Sequence, residues 1–485
     1  MSPFQPRQAF LPQEGYRLLP FRFLQFDEQR KLLVNDAGES QFIDNADFNA
    51  LVAGAFDRRS ETYLDLKARH FLFDSASLAP FELLVAKYRT KKFFLDGFAR
   101  LHIFVVTLRC EHSCHYCQVS RVSSDRPRYD MSAESASLAL DLVFQSPATH
   151  LKIEMQGGEP LLNFDRIRQI VTEAEQRAAR AEKCVEFVVT TNLACLDDEM
   201  LTFFAEHSVF ISTSLDGPAD LHNANRPRPG GDSHARTIDG IRRVRAHLSD
   251  DRVAALMTTT RRTLSRGRDV VDEYLAQGFR SVFLRPLSPF GFASKTAGAT
   301  AYGVDEFLNF YFETLDYILA VNAAGTFFAE TYAQLLLRRI FTPFPTGYVD
   351  LQSPAGAAIG AVVFNYDGDV YASDEARMLA EMGDRSFRLG NVHCDDYESI
   401  FSGPVVRRLV ESSVIESIPG CCDCAFLPFC GSDPVFNYAT QGDLMGHQPS
   451  SAFHEKNFAI IKYLIKRHDE DPVARAVFRS WIAER

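Results

Sequence analysis

Leu101-His-Ile-Phe-Val-Val-Thr-Leu108-Arg-Cys110-Glu-His-Ser-Cys114-His-Tyr-Cys117 runs an apolar strand straight into a C-x3-C-x2-C loop. Thiols this close together on a short loop are suited to metal binding. Three thiolates can hold three irons of a [4Fe–4S] cluster, which normally takes four cysteines, and the fourth iron then stays open to another ligand. A structural zinc site of Cys3His type, completed by His112 or His115, uses the same residues. The sequence downstream bears on the choice.

Apolar, strand-like segments recur at 101–108, 151–155, 185–190, 209–215, 253–258 and 281–285. Helical patterns lie between them, at 133–145, 165–180, 197–206 and 233–247, with Ser132 placed to cap the first. Repeated βα units predict an α/β fold with a parallel sheet and helices outside it. Six units predict a partial (β/α)6 TIM-like barrel over residues 99–300, with its site at the C-terminal ends of the strands. The polar clusters fall at those ends: Gln156-Gly157-Gly158-Glu159-Pro160, Thr190-Thr191-Asn192 and Ser212-Thr-Ser214-Leu-Asp216-Gly217. A zinc site needs none of them. Gly157 and Gly158 would let backbone carbonyls approach an ammonium, and Glu159 would add charge.

The cysteine loop and Gly-Gly-Glu-Pro at this spacing resemble the radical S-adenosylmethionine (SAM) superfamily. The resemblance implies a [4Fe–4S] cluster on Cys110, Cys114 and Cys117 whose open iron chelates SAM. Reductive cleavage of SAM to a 5′-deoxyadenosyl radical, which abstracts a substrate hydrogen, is the implied chemistry. It also implies that Gly157, Gly158 and Glu159 contact the methionine ammonium, and that Ser214 and Arg226 make the ribose and carboxylate contacts. Ser214 as a loop cap and Arg226 as a solvated arginine are the plainer readings. No spacing identifies a catalytic acid or base.

Residues 301–485 begin with helical patterns at 305–322 and 332–340, followed by a hairpin at 361–365 and 369–372 around Asp367-Gly368 and a last helix at 455–467. Between hairpin and helix stands Cys421-Cys422-Asp-Cys424-Ala-Phe-Leu-Pro-Phe-Cys430, which resembles the SPASM/twitch-like extension that binds auxiliary [4Fe–4S] clusters in peptide-modifying radical SAM enzymes. Ser353, Ser373 and Asp433-Pro434 stand where that pattern has further cysteines, so one of two auxiliary clusters is expected to be missing. The other would use Cys421, Cys424 and Cys430, with His454 as the candidate fourth ligand and His447, Cys394 and Cys422 as competitors. A zinc knuckle on the same thiolates is the alternative. Cys184 and Cys195 have no cysteine neighbour and read as buried free thiols.

Residues 1–98 read as a small α+β module, with strands at 18–26, 30–35 and 40–43 and helices from Asn45 to Leu51, at 61–70 and at 80–88. That order resembles the peptide-recognition elements of ribosomal-peptide maturases, which bind a leader peptide as an added strand. A plain cap on the barrel would give the same pattern. The whole chain is most similar to the His-Xaa-Ser system radical SAM maturases, which implies a precursor peptide with His-Xaa-Ser repeats as substrate and a companion maturase as a further partner. A sulfatase-maturase-like enzyme acting on a protein side chain, and a zinc-stabilised, non-catalytic peptide-binding protein, are the alternative functions.

Composition sets the outer bounds. The chain has 485 residues, 46% hydrophobic and 24% charged, which fits a globular protein and excludes disordered or collagen-like classes. A net charge of −11 disfavours nucleic acid as a partner. No signal peptide or membrane-length apolar run is visible, so a cytoplasmic location is expected, where clustered cysteines bind metal rather than form disulfides. The implied chemistry needs a flavodoxin- or ferredoxin-type reductant, and Lys87-Tyr-Arg89-Thr-Lys91-Lys92 is the candidate basic patch for docking it, with a solvated face as the alternative.

Overall fold

A computed structural model of the chain describes residues 6–119, 122, 125–291, 293 and 296–483. Its centre is an eight-stranded sheet. The strands Val253–Leu256, Phe210–Ser214, Cys184–Thr190, His150–Gly157 and Leu101–Thr107 lie side by side in that order, all parallel. These are five of the six expected strands, with ends moved by one or two residues. Leu101–Thr107 is buried along nearly its whole length because helices and strands cover both of its faces, which explains its unbroken apolar run. The intervening helices follow the sequence pattern. Ser132 caps Ala133–Val143 by accepting from Ser135 N at 2.9 Å, as its position suggests.

The sixth strand departs from expectation. Ser281–Val282 pairs with Ala329–Glu330 in a separate two-stranded sheet. It is linked to the segment after the fifth strand by the hydrogen bond from Thr259 N to Arg285 O, 2.8 Å. Pro286, which has no N–H to donate, ends the run. The sheet instead grows from its other edge. Ala361–Phe364 lies parallel to Leu101–Thr107, with Ala361 opposite Leu101, and the antiparallel strands Asp369–Tyr371 and Arg388–Asn391 follow. The hairpin read from Asp367-Gly368 is therefore part of the central sheet, and Gly368 takes the positive φ of 83° that its turn requires.

In the N-terminal region Phe21–Gln25, Arg30–Asn35 and Ser40–Asp44 form the expected antiparallel sheet. Pro12–Leu18 and Leu72–Ser75 add an unexpected antiparallel pair. Pro12–Leu18 is mostly exposed and shows no alternation, so periodicity gives no sign of it. Helices span Asn45–Val52, Glu61–Ala68 and Ala79–Lys91, with Asp44 at the N-cap position of the first.

One continuous core joins Leu32 and Val34, the barrel strands, and the C-terminal helices Val304–Ala323, Thr331–Phe341 and Ala452–Glu470. A further helix, Pro472–Ala483, seals it with Phe478 and Trp481, both fully buried. Within the basic run Lys87 pairs with Glu39 at the surface, Arg89 is exposed, Lys91 Nζ donates to Arg339 O at 2.8 Å, and Lys92 pairs with Glu416. No helix among the described residues is long and apolar enough to cross a membrane.

Candidate functional site

The cysteine loop leaves the C-terminal end of Leu101–Thr107 and is pinned in place by backbone bonds to the segment that carries Arg226. Ser113 N donates to Pro227 O at 2.7 Å and His115 N to Asn225 O at 3.3 Å. The ends of the neighbouring strands then close one cavity of about 180 Å3 lined by Cys110, Cys114, Cys117, Gly157, Gly158, Ser214 and Arg226. Residues read from four separate segments thus share one wall.

The two glycines are required by close backbone packing. Gly157 has φ 154°, and a Cβ there would lie 2.0 Å from Thr107 O. A Cβ on Gly158 would lie 2.3 Å from Arg109 O and 2.5 Å from Leu108 O. The strand end is pressed onto the backbone leading into the cysteine loop, with Gly158 N donating to Thr107 O and Glu159 N to Arg109 O.

Glu159 does not line the cavity. It is fully buried behind the wall, where its carboxylate accepts from Thr191 Oγ1 at 2.6 Å, Asn192 N at 2.8 Å and Leu161 N at 3.1 Å. It ties the second strand end to the third. Burial first, and the Glu111 charge second, push this carboxyl up to about 8. Arg226 is likewise held rather than solvated. Its Nε donates to Asp216 Oδ2 at 3.2 Å, and the Tyr116 hydroxyl donates to the same oxygen at 2.7 Å. Asp216 is fully buried and orients both side chains toward the cysteines.

The residues present fit a cluster and SAM. Three thiols face the cavity, and burial pushes the Cys114 thiol up to about 12, a cost that metal binding can offset. Gln118 Nε2 and Gln156 Nε2, on two cavity-lining residues, are buried donors without a partner among the described residues. Tetrahedral zinc needs sulfurs about 4 Å apart, and among the described residues the one group of three or more His, Cys, Asp and Glu ligand atoms within 4.8 Å of one another is Cys110, Glu111 and His112, with a single sulfur. There His112 Nδ1 lies 2.9 Å from Glu111 Oε1, and Nε2 bonds Ser233 Oγ at 2.8 Å, so both ring nitrogens are engaged. His115 is exposed and does not line the cavity.

Tyr116, Arg285, Asp374 and Met378 also line the cavity and were not singled out in the sequence as site residues. Arg285 ends the sixth strand-like segment, and Asp374 follows Ser373, so their positions carried a signal that their residue types did not.

Cys421, Cys424 and Cys430 lie on a separate loop. Arg22 Nε donates to Cys422 O from one side, and Arg339 donates to Phe429 O at 3.0 Å and Cys430 O at 3.2 Å from the other. Burial first, and the charges of Cys424 and Cys421 next, push the Cys430 thiol up to about 12, so the three sense one another. His454 lies in the same neighbourhood: its ring is 3.2 Å from Gln448 Nε2, and Gln448 abuts Gly420 beside Cys421, while Phe458, one turn along its helix, packs on Phe426. Among the competitors, His447 is exposed and bonds Ser450, and Cys394 is exposed on the loop after Arg388–Asn391. Ser373 caps the helix Asp374–Glu381, and Ser353 bonds Glu416 and Ile415 N, so both expected-cysteine positions are built into hydrogen bonds. Cys184 is exposed at a strand start, not buried; Cys195 is half-buried against the core.

Comparisons with known proteins agree with this geometry. The Radical SAM superfamily profile matches residues 104–271. The cysteine-type anaerobic sulfatase-maturating enzyme of Clostridium novyi is 22% identical over 74% of this chain and 94% of its own length. Native anSMEcpe with bound AdoMet and a Cp18Cys peptide superposes with a TM-score of 0.63 at 17% identity, covering 78% of this chain and 99% of that one. Streptococcus suis SuiB bound to its precursor peptide SuiA gives 0.52 at 13% identity, covering 90% and 99%. Residues 104–271 form a radical SAM domain, a domain that binds a [4Fe–4S] cluster and SAM, and the chain is an enzyme.

Proposed function

We propose that this chain is a SPASM-type radical SAM maturase that modifies a ribosomally made precursor peptide, its core built of His-Xaa-Ser repeats. The observation that carries the reading is the single cavity shared by Cys110, Cys114, Cys117, Gly157, Gly158, Ser214 and Arg226. When bound, the cluster and SAM supply a 5′-deoxyadenosyl radical that abstracts hydrogen. The protein's own residues prepare the site. Cys110, Cys114 and Cys117 hold the cluster, and the backbone at Gly157 and Gly158 meets the methionine ammonium. Ser214 takes the ribose, and Arg226, steadied by Asp216, takes the carboxylate. Glu159 acts one layer back as a positioning residue. Cys421, Cys424 and Cys430 would hold one auxiliary cluster, which would supply an acceptor for the second electron of the oxidation.

The N-terminal module supports a leader-binding role. Phe21–Gln25 and Ser40–Asp44 are the edge strands of its three-stranded sheet, and Phe23 is 50% exposed there. A reductant of flavodoxin or ferredoxin type completes the reaction in the cytoplasm. The long alignment with the Clostridium enzyme favours a second reading, oxidation of a sulfatase side chain. Anaerobic turnover with SAM, dithionite and either a His-Xaa-Ser repeat peptide or a sulfatase-derived Cys or Ser peptide separates the two. Loss of two hydrogens from the repeat peptide, with matching 5′-deoxyadenosine, is expected. Turnover of the sulfatase peptide alone would transfer the assignment.

A further inference from the structure

Three polar side chains to which the proposed function gives no role are buried together behind the cysteine loop: His112, His222 and Ser233, none more than 1% exposed. Ser233 Oγ stands between the two imidazoles, 2.8 Å from His112 Nε2 and 3.0 Å from His222 Nε2. The ends of this line fix where its protons lie. Asp216 N can only donate, and it meets His222 Nδ1 at 3.3 Å, so that nitrogen is bare. Burial first, and the Arg226 charge second, hold His222 well below its ordinary pKa, so the ring is neutral and its proton is on Nε2. That N–H donates to Ser233 Oγ, and the Ser233 proton goes on to His112 Nε2. His112 therefore carries its proton on Nδ1 and donates to Glu111 Oε1 at 2.9 Å, where Asn192 Nδ2 also donates at 2.8 Å. The opposite tautomer of His112 would let Asn192 Nδ2, 3.0 Å away, donate to Nδ1. It would also set a bare nitrogen against the Glu111 carboxylate and leave the Ser233 proton without an acceptor.

The line joins two parts of the site. At one end, Glu111 and His112 belong to the cysteine loop. At the other, Asp216 accepts from Arg226 Nε at 3.2 Å and from the Tyr116 hydroxyl at 2.7 Å. Exposed Ser113 and His115 already tie the loop to Pro227 and Asn225 through backbone N–H groups, but one line of contact lets a loop pivot. The buried hydrogen bonds supply a second. We infer that Ser233 and His222 are positioning residues, whose directed hydrogen bonds hold the cysteine loop in register with Arg226 so that both grip one SAM molecule. This rests on the SAM carboxylate contact assigned to Arg226 above. Hydrogen-bond partners one layer behind a metal site commonly set its geometry in this way.

The test compares reconstituted wild type with Ser233→Ala, which removes the shared hydroxyl, and with Arg226→Gln. Iron and sulfide content, SAM affinity by equilibrium dialysis, and the electron paramagnetic resonance signal of the reduced enzyme with and without SAM are read. Ser233→Ala is expected to keep wild-type iron and sulfide, to bind SAM about tenfold more weakly, and to lose the signal change that SAM produces in the wild type. Wild-type SAM affinity and signal change in Ser233→Ala, beside weakened Arg226→Gln, would overturn the positioning role alone, as would loss of iron from Ser233→Ala. Full SAM affinity in Arg226→Gln would overturn the carboxylate contact, and the inference with it. Should Ser233→Ala not fold, the wild type still decides. Ring-nitrogen NMR of the oxidised holoenzyme, assigned with His222→Gln, is expected to show His222 bare at Nδ1 and protonated at Nε2; the reverse tautomer would overturn the inference.

Discussion

Glu159 sits where its motif leads one to expect a ligand contact, yet it spends its carboxylate on Thr191, Asn192 and Leu161. Glu159→Gln keeps the shape but sets an NH2 against a backbone donor. The expected loss is about 1–3 kcal/mol, read as a lower melting temperature of the apo protein. Lys91 offers a pH test at the same scale. Burial first, and the Arg339 charge second, lower its ammonium to about 7 from an ordinary 10.5. The unfolded chain therefore binds more protons than the native one between those values, and stability rises with pH across that window. The gap between wild type and Lys91→Met should shift toward wild type from pH 7 to 10 in urea titrations, and a gap that stays constant would refute the buried-amine assignment. The motif residues were legible because each cluster ended a strand-like run. The contacts of Lys91 with Arg339 O and of Lys92 with Glu416 were not, since a basic run looks the same whether it meets solvent or acceptors of the fold.

Elements place these residues. The second barrel strand ends against the backbone of the first, and only glycine fits there: a Cβ on Gly158 meets Arg109 O at 2.3 Å. Gly158→Ala should cost about 1–3 kcal/mol of overpacking and displace the cysteine loop, so that iron at that loop falls while iron at the C-terminal loop is retained. Spectroscopic quantification in each loop's background reads both. Five barrel strands could be read from apolar runs because parallel strands are buried on both faces. The sixth could not be placed, because Ser281–Val282 finds its partner in Ala329–Glu330, forty-odd residues on, and no periodicity encodes a partner. Nor does periodicity reveal that the hairpin Ala361–Phe364 would extend the barrel sheet through Leu101–Thr107.

At the scale of the molecule, the C-terminal region completes the site that the barrel begins. Its hairpin joins the sheet, and Asp374 and Met378 line the cysteine cavity. The cysteine-rich loop is held by Arg22 of the N-terminal module and Arg339 of the helix Thr331–Phe341. The proposed auxiliary cluster, on its own anchored loop, predicts that a Cys110/Cys114/Cys117→Ala protein keeps iron; an iron-free triple variant would remove that cluster from the account. Cysteine spacing made both loops visible in the sequence. The packing that brings His454 to this neighbourhood, through Gln448 against Gly420 and Phe458 on Phe426, was not visible there, because no spacing encodes which helix covers a loop. The central claim is that the cavity of Cys110, Cys114 and Cys117 performs radical SAM chemistry. Anaerobic reconstitution with iron and sulfide, followed by reduction in the presence of SAM, tests it most directly. The account predicts 5′-deoxyadenosine from the wild type and none from the triple variant; SAM left intact by iron-loaded wild type, or a protein that takes up zinc alone, would contradict it.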